Sequence, residues 1–257
     1  MERVAVSDGK ITETRDPRKV FRFNAAARSD VGGIRDHNED YAFAGSNLIA
    51  VADGVGGNVF GEVASEIVTT AIGYLDDRIY KFAPEEELRE AAEYANFRLQ
   101  VAIEKNHDLL GMATTLTALR LDGSSVVVLN VGDSRAYGVR DGSWLRVTRD
   151  DSYVQELVDA GHLTDDEALH HPQRSIVLQA LSGGAFTPTV AVRDVQAGDR
   201  YLVCTDGLSD YVAESLIGEI LLTASTTLEC CDALLEAALA VGGPDNISCV
   251  VADVIAL

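Results

Sequence analysis

Residues 115–121 read T-L-T-A-L-R-L, and three further strand-like stretches follow closely: S-V-V-V-L-N-V at 125–131, S-R-A-Y-G-V at 134–139 and W-L-R-V-T at 144–148. Asp-Gly pairs at 122–123 and 141–142 lie between these stretches. Asp-Gly between alternating runs is a strong signal for a hairpin turn. The sequence therefore predicts a run of antiparallel strands here.

The residues before this run predict strands and then helices. A strand is expected from Phe21 to the turn at 32–33, and L-I-A-V-A at 48–52 predicts a short apolar strand. Two helices follow, one at roughly 59–80 and one that starts at Pro84. Proline is favoured at the first position of a helix, because its fixed φ suits the helix and its missing N–H would have no partner there.

The residues after the run predict a polar helical segment and then a return to strands. Capping-box patterns at Ser152 and Thr164 indicate short helices within 150–174. The remaining elements are expected to be strands at about 187–205, helices at about 209–222 and 226–241, and a last strand, N-I-S-C-V-V-A-D-V.

This order of elements is not the regular β-α alternation of a doubly wound sheet, and it predicts an α+β fold in which helices cover sheets. No internal repeat or linker divides the chain, so residues 20–257 are expected to form one domain. Residues 1–19 are polar and show neither helical nor strand periodicity, and we expect them to be a flexible N-terminal tail.

The composition limits the partners and the compartment. Of the 257 residues, 41 are acidic and 21 are basic, which gives a formal net charge of −20. Nucleic acids and anionic membranes need cationic patches on their partners, so neither is expected to bind. No apolar stretch is long enough for a signal peptide or a membrane span, and the four cysteines show no C-x-x-C or zinc-finger spacing. These features predict a cytoplasmic protein.

Acidic residues recur where apolar strands meet turns. R-D-H-N-E-D at 35–40 and D-G-V-G-G at 53–57 follow two predicted strands, and T-D-G-L-S-D at 205–210 and P-D-N-I-S at 244–248 lie far downstream. Carboxylates at strand ends can meet between two sheets, but like charges at close range raise each other's pKa unless a cation is present. These segments therefore predict a site for several metal ions with oxygen ligands.

Seven motifs follow one another from about residue 24 to the end: R-D-H-N-E-D, D-G-V-G-G, V-G-D-S-R-A-Y, V-T-R-D-D-S, H-P-Q-R-S, C-T-D-G-L-S-D and P-D-N-I-S. In this order they resemble the motif series of the metal-dependent Ser/Thr protein phosphatases, the type 2C or PPM family, in its bacterial form. The resemblance implies a four-layer α-β-β-α sandwich of two mostly antiparallel sheets. It also implies a pair of Mn²⁺ or Mg²⁺ ions between the ends of the sheets, and hard divalent cations of this kind prefer oxygen ligands.

The resemblance assigns metal ligands to positions of this chain. Asp53 would bridge both ions and position the nucleophilic water, and the carbonyl oxygen of Gly54 would bind one of the ions. The other ion would be held by Asp206 and Asp245. Two more acidic residues, Glu39 and Asp40, would act mainly through metal-bound waters.

Other positions matter for the phosphate, a third ion and the leaving group. Arg35 matches the phosphate-binding arginine of the family, whose fork holds two oxygens at once. Asp133 resembles the residue that holds a third metal ion in bacterial members, although a turn aspartate that caps the next strand is an equal alternative. Ser175 falls where the mobile flap of the family, here about 150–175, approaches that third ion, and a plain solvent or capping role is the alternative. Position 55 is valine where many eukaryotic relatives have a histidine proposed to protonate the leaving oxygen, and a turn residue such as His37 is a weak substitute.

These features lead to an expected function with two alternatives. We expect a metal-dependent phosphoprotein phosphatase that hydrolyses phosphoserine and phosphothreonine, with Ser/Thr protein kinases and their substrates as partners. The alternatives are a non-catalytic signalling module with the same fold and a hydrolase of small phosphate esters. A missing metal aspartate would favour the first alternative, and none is missing. A closed pocket would favour the second.

Overall fold

Two antiparallel sheets form the centre of the computed structural model, which describes residues 4–7, 10–14, 21–55, 60–77 and 83–257. The strands, in chain order, are β1 Val4–Ser7, β2 Lys10–Thr14, β3 Phe21–Asp30, β4 Asp40–Ala44, β5 Leu48–Val55, β6 Ala113–Thr114, β7 Leu116–Asp122, β8 Ser125–Val131, β9 Arg135–Arg140, β10 Ser143–Arg146, β11 Thr189–Asp194, β12 Arg200–Cys204 and β13 Ile247–Ala256. The first sheet has the strand order β10-β9-β12-β13-β3. The second has the order β11-β8-β7-β5-β4, with β6 paired to β5. Strands β1 and β2 form a separate two-stranded sheet among the described residues.

Helices cover the outer face of each sheet. The helices are α1 Gly61–Gly73, α2 Pro84–Lys105, α3 Tyr153–Asp159, α4 Asp165–Leu169, α5 Asp206–Ser209, α6 Glu214–Thr223 and α7 Thr227–Ala240, and a 3-10 turn spans His107–Leu109. The first two helices pack on the second sheet, and α6 and α7 pack on the first. Short helices α3 and α4 belong to the 150–175 segment, which connects β10 to the second sheet.

Three apolar layers hold this arrangement together. Alternate residues of β5 point to opposite faces, so Leu48 joins the layer under the helices and Ile49 joins the layer between the sheets. The same alternation on β12 sends Val203 between the sheets and Leu202 toward α6 and α7. Strands that are buried on both faces read as continuous apolar runs. The four-layer α-β-β-α sandwich that was expected from the sequence is confirmed.

Most of the predicted elements are present with small shifts in their ends. The hairpin turns at 122–123 and 141–142 join paired strands, and α2 starts at Pro84 as predicted. The helix predicted at roughly 59–80 is shorter, Gly61–Gly73, and residues 59 and 78–80 lie outside the described residues. Thr164 makes the full capping box with Glu167, whereas Ser152 caps α3 through the N–H of Gln155 alone.

The N-terminal residues differ from the expectation of irregular backbone. Residues 4–7 and 10–14 form a two-stranded antiparallel pair, while 1–3, 8–9 and 15–20 lie outside the described residues. The division into a flexible tail at 1–19 and a domain at 20–257 stays a prediction. The longest helix, α2, carries charged residues along its length, and no described helix has the length and apolar character that a bilayer span requires.

Candidate active site

The pairing of β4 with β5 brings the first two acidic motifs together. Asp40, the first residue of β4, lies directly opposite Asp53 near the end of β5. The backbone of Asp53 is fixed on its other side, because its N–H donates to Thr115 Oγ1 (3.0 Å) and its carbonyl oxygen accepts from the N–H of Thr115 (2.9 Å). Neighbouring antiparallel strands therefore hold two carboxylates at one end of the second sheet.

The ends of β12 and β13 bring the other two acidic motifs to the same place. Asp206 is the first residue of α5, directly after β12, and Asp245 lies two residues before β13. Thr205 links the two sheets, because its hydroxyl donates to Asp40 Oδ2 (2.8 Å) and accepts from the N–H of Ser248 (2.9 Å). Hydrogen bonds thus tie the acidic end of the first sheet to that of the second.

Asn246 fixes the loop that carries Arg35 and Glu39. Its side-chain oxygen accepts from the N–H of Glu39 (2.9 Å), and its side-chain nitrogen donates to the carbonyl oxygens of Val31 (3.0 Å) and His37 (2.8 Å). Asn246 was not among the residues predicted from the sequence, and an asparagine in a turn is most often a local turn residue. The signal available was its position inside the P-D-N-I-S motif.

Burial of these carboxylates makes their ionisation costly. Burial, together with the charges of Asp206 and Asp245, raises the pKa of Asp40 to about 7, although hydrogen bonds from Thr205 and Ser248 oppose the shift. Burial and the charges of Asp210 and Asp245 likewise raise the pKa of Asp206 to about 7.

The pKa of Asp53 is raised well above its ordinary value, first by burial and then by the charges of Asp40, Asp206 and Asp133. A hydrogen bond between the Asp53 and Asp206 side chains raises the pKa of Asp53 and lowers that of Asp206. Two carboxyl groups this close are costly to ionise together, and a nearby cation would remove that cost.

The chemistry of this donor set fits hard divalent cations. Asp40 Oδ1 is buried and has no hydrogen-bond partner among the described residues, and a buried carboxylate oxygen without a partner is unfavourable unless a cation or water occupies the space. No three His, Cys, Asp or Glu side chains in the described ranges lie close enough together to hold one ion. Asp245 pairs with Arg35, and its charge also acts on Asp40 and Asp206.

Arg35 lies at the opening of the site. Its Nη2 donates to Asp245 Oδ2 at 2.8 Å, and the two side chains are 47% and 22% exposed. Burial alone would lower the pKa of Arg35, but the charge of Asp245 and its hydrogen bond raise it on balance. Glu39 lies near this arginine. Burial and the neighbouring charge of Glu62 raise the pKa of Glu39, while Arg35 opposes the shift.

Asp133 lies at the edge of the same cluster. It is buried in the turn between β8 and β9, and its pKa is raised well above the ordinary value by burial and by the charges of Asp206, Asp150 and Asp210. Ser175 is not part of this cluster. Ser175 is exposed in the turn after α4 and makes no side-chain hydrogen bond to the described residues. The histidine considered for proton transfer, His37, is exposed, with only its carbonyl held by Asn246.

A cavity of about 400 Å³ lies between the 150–175 segment and the rest of the domain, and Asp133 forms part of its lining. Its walls combine apolar side chains from α3 and α4, such as Val154 and Leu169, with the charged residues Arg146 and Glu214. A partly apolar space therefore adjoins Asp133, the candidate ligand of a third ion.

A four-layer sandwich with acidic residues at the ends of both sheets and an arginine at the opening is the architecture of a metal-dependent phosphatase. The family model described as Protein phosphatase 2C matches residues 35–240 of this chain. The chain belongs to this family.

Two curated relatives illustrate the range of similarity. The serine/threonine protein phosphatase PstP of Mycobacterium tuberculosis is 46% identical over 236 residues, which cover 92% of this chain and 45% of the relative. The chain thus spans about half the length of that relative. The serine/threonine phosphatase Stp of Listeria monocytogenes is 35% identical over 235 residues, which cover 88% of this chain and 93% of the relative.

Solved structures agree with the fold. The crystal structure of the Mycobacterium tuberculosis phosphatase PstP/Ppp has a TM-score of 0.87 and 45% identity, covering 90% of this chain and 98% of that one. A structure of the PstP catalytic domain in complex with two manganese ions has a TM-score of 0.86 and 42% identity, covering 92% of this chain and all of that one.

Proposed function

We propose that this domain hydrolyses phosphoserine and phosphothreonine esters in proteins and that it depends on two Mn²⁺ or Mg²⁺ ions. The observation that carries the proposal is the meeting of Asp40, Asp53, Asp206 and Asp245 at the ends of two sheets, with Arg35 at the opening. The manganese-containing structure of a relative at 42% identity supports the choice of metal. When bound, the ions offset the charge of the phosphate and make a water molecule nucleophilic at neutral pH.

Residues at the ends of both sheets would hold the two ions. Asp53 would bind both ions and the Gly54 carbonyl oxygen one of them, while Asp206 and Asp245 would hold the other ion. Thr205 holds the Asp40 side chain and Asn246 holds the Glu39 backbone, and these two acids would bind waters around the ions. Asp133 is the candidate for a third ion, and the exposed position of Ser175 gives no support to a role beside it.

Arg35 would bind the phosphate of the substrate. In the structure its guanidinium pairs with Asp245, which is itself a proposed ligand. Metal binding by Asp245 would weaken this pair and release the fork of Arg35 for two phosphate oxygens. Arg35 would then be able to bind the phosphate once both ions are bound. Val55 cannot donate a proton, so the leaving oxygen has to be protonated from elsewhere.

The expected partners follow from this chemistry. Phosphorylated proteins are the substrates, and we propose that Ser/Thr protein kinases and their targets are among them, so that the domain reverses kinase signalling. We also propose a cytoplasmic location, which the four buried free cysteines support, because free thiols persist in reducing compartments. The 150–175 segment is proposed to act as a flap over the substrate.

The test is Mn²⁺-dependent release of phosphate from a phosphothreonine peptide, a phosphotyrosine peptide and a small aryl phosphate. We expect release from the phosphothreonine peptide, with Asp206→Asn and Asp245→Asn each losing at least ~10²-fold in kcat/KM because a metal ligand is lost. Asp232→Asn is the matched control, since Asp232 is a partly exposed aspartate of α7 that pairs with Arg28 and has no proposed role in metal binding. Turnover of the aryl phosphate alone would favour a hydrolase of small esters, and no turnover with bound Mn²⁺ would favour a non-catalytic module.

A further inference from the structure

Arg135 is a buried arginine beside the acidic cluster, and its positive charge lowers the pKa of Asp206. Its side chain is only 9% exposed. Its Nε and Nη2 donate to Asp150 Oδ2 at 3.0 and 2.8 Å, and Nη2 also donates to Asp210 Oδ1 at 3.1 Å. The remaining nitrogen, Nη1, donates to the carbonyl oxygen of Ser209 at 2.9 Å. Every nitrogen of the guanidinium is therefore engaged.

These partners belong to two parts of the structure, the short helix α5 and the start of the 150–175 segment. Ser209 is the last residue of α5, a single turn whose first residue is Asp206, and Asp210 closes that turn by donating its N–H to the Asp206 carbonyl at 2.8 Å. A last-turn carbonyl has no partner within its helix, so an arginine there is favourable. Asp150 begins the 150–175 segment. Arg135 thus joins the turn that carries Asp206 to the root of that segment.

A purely structural arginine with the same chemistry exists elsewhere in the domain. Arg200 forms a two-pronged pair with Asp253 (2.6 and 3.0 Å) and donates to the carbonyl oxygens of Leu221 and Ala224 at the end of α6. Both arginines therefore combine a fork on an aspartate with a cap on a helix end. The difference is that α5, the helix capped by Arg135, is a single turn and begins with Asp206, a proposed metal ligand.

We propose that Arg135 is a positioning residue that holds Asp206 in the geometry required for metal binding. The proposal rests on the proposed function in one respect, namely that Asp206 binds metal. A four-residue helix has almost no internal stability, because nucleating a helix is unfavourable. Its orientation is therefore set by contacts outside it, and the guanidinium of Arg135 holds its end at two atoms.

A positioning role and a purely electrostatic role for Arg135 predict opposite changes in Mn²⁺ affinity when its charge is removed. A cation close to the cluster repels Mn²⁺, so its loss by charge alone should tighten metal binding. Loss of positioning should instead weaken metal binding. Lysine at this position keeps the charge but lacks the planar fork, so Arg135→Lys isolates the positioning effect.

The experiment is calorimetric titration of Mn²⁺ into the full chain and its Arg135→Lys, Arg135→Gln and Arg200→Lys variants, with the melting temperature of each recorded. We expect Mn²⁺ affinity to fall ~10- to 100-fold in Arg135→Lys, the usual effect of losing a residue that orients a ligand, and to fall in Arg135→Gln as well. Arg200→Lys should lower the melting temperature while its Mn²⁺ affinity stays within about 2-fold of the wild type. The Mn²⁺ concentration for half-maximal turnover gives a second measure, and excess Mn²⁺ should restore turnover in Arg135→Lys.

Three results would overturn the proposal. Wild-type affinity in Arg135→Lys, or tighter binding in Arg135→Gln, would leave Arg135 with a structural or electrostatic role only. An equal loss of affinity in Arg200→Lys would mean that general destabilisation explains the effect. Absence of Mn²⁺ binding by the wild-type chain would instead contradict the proposed function itself, and the premise for Arg135 would fall with it.

Discussion

Gly207 lies where the two downstream acidic loops touch, and its replacement by alanine should separate them. A Cβ at position 207 would lie 1.9 Å from the carbonyl oxygen of Asn246 and 3.4 Å from the Cβ of Asp245. Real Cβ atoms essentially never come closer than 3.0 Å to another heavy atom, so the two loops must move apart by about 1 Å. The closest contact is a backbone oxygen, which cannot rotate away. The displacement therefore falls on Asp206 and Asp245.

The expected loss is large for activity and moderate for stability. A displacement of about 1 Å in a catalytic constellation can cost ~10²-fold, so we expect kcat/KM to fall by about that factor. Overpacking in a well-packed region typically costs about 1–3 kcal/mol, which for a domain of this size lowers the Tm by roughly 2–12 °C. The assay combines steady-state turnover of a phosphothreonine peptide with thermal unfolding and Mn²⁺ titration.

Gly184→Ala is the matched control, because the nearest atom to its added Cβ is the flexible Ser182 hydroxyl at 3.7 Å. This variant should keep native turnover and native Mn²⁺ affinity. If Gly207→Ala also keeps native turnover and native Mn²⁺ affinity, the spacing of the two loops does not determine metal binding, and the prediction is wrong.

Three further predictions follow from the site. Arg35→Ala should raise KM for a phosphothreonine peptide more than it lowers kcat, and Arg35→Lys should recover part of the loss; an unchanged KM would assign Arg35 to structure. Asn246→Ala should lower the free energy of unfolding by roughly 3 kcal/mol in denaturant titrations, because three backbone groups lose their partner; a change below about 0.5 kcal/mol would show that water replaces the amide. Asp40 and Asp206 have a pKa of about 7 when folded and about 4 when unfolded. The folded chain therefore retains protons that the unfolded chain releases, and the Tm of the metal-free protein should fall as pH rises from about 4 to about 7. Saturating Mn²⁺ should oppose this fall, and a metal-free Tm that rises across this window would contradict the assignment.

The sequence predicted the parts of this molecule whose physical cause is local. Asp-Gly turns between alternating strands, and proline at the start of α2, specify their conformations within a few residues. The acidic motifs were predicted to meet because each occupies a strand end, and the pairing of Asp40 with Asp53 is the geometry that makes this possible.

The parts that were missed depend on contacts between distant residues. Asn246 and Glu39 are 207 positions apart, and Arg135 and Ser209 are 74 apart, so no spacing rule could connect them. Arg135 belongs to the V-G-D-S-R-A-Y motif, but its partners Asp150, Ser209 and Asp210 lie in later parts of the chain. Ser175 was placed near Asp133 by resemblance alone, whereas its exposure depends on how the 150–175 segment packs.

The two arginines beside the carboxylates differ in burial, and this difference determines which of them can take part in substrate binding. Arg35 and Asp245 are partly exposed, and ion pairs of this kind contribute about 0–1 kcal/mol, so a phosphate can displace the carboxylate at little cost. Arg135 and Asp150 are 9% and 5% exposed, and removing one partner of a buried pair costs about 3–5 kcal/mol. An exchange of partners at Arg135 would consume much of the 5–15 kcal/mol that stabilises a typical domain. The exposed arginine is therefore suited to binding a ligand that arrives and leaves, and the buried one to holding a geometry that must not change during turnover.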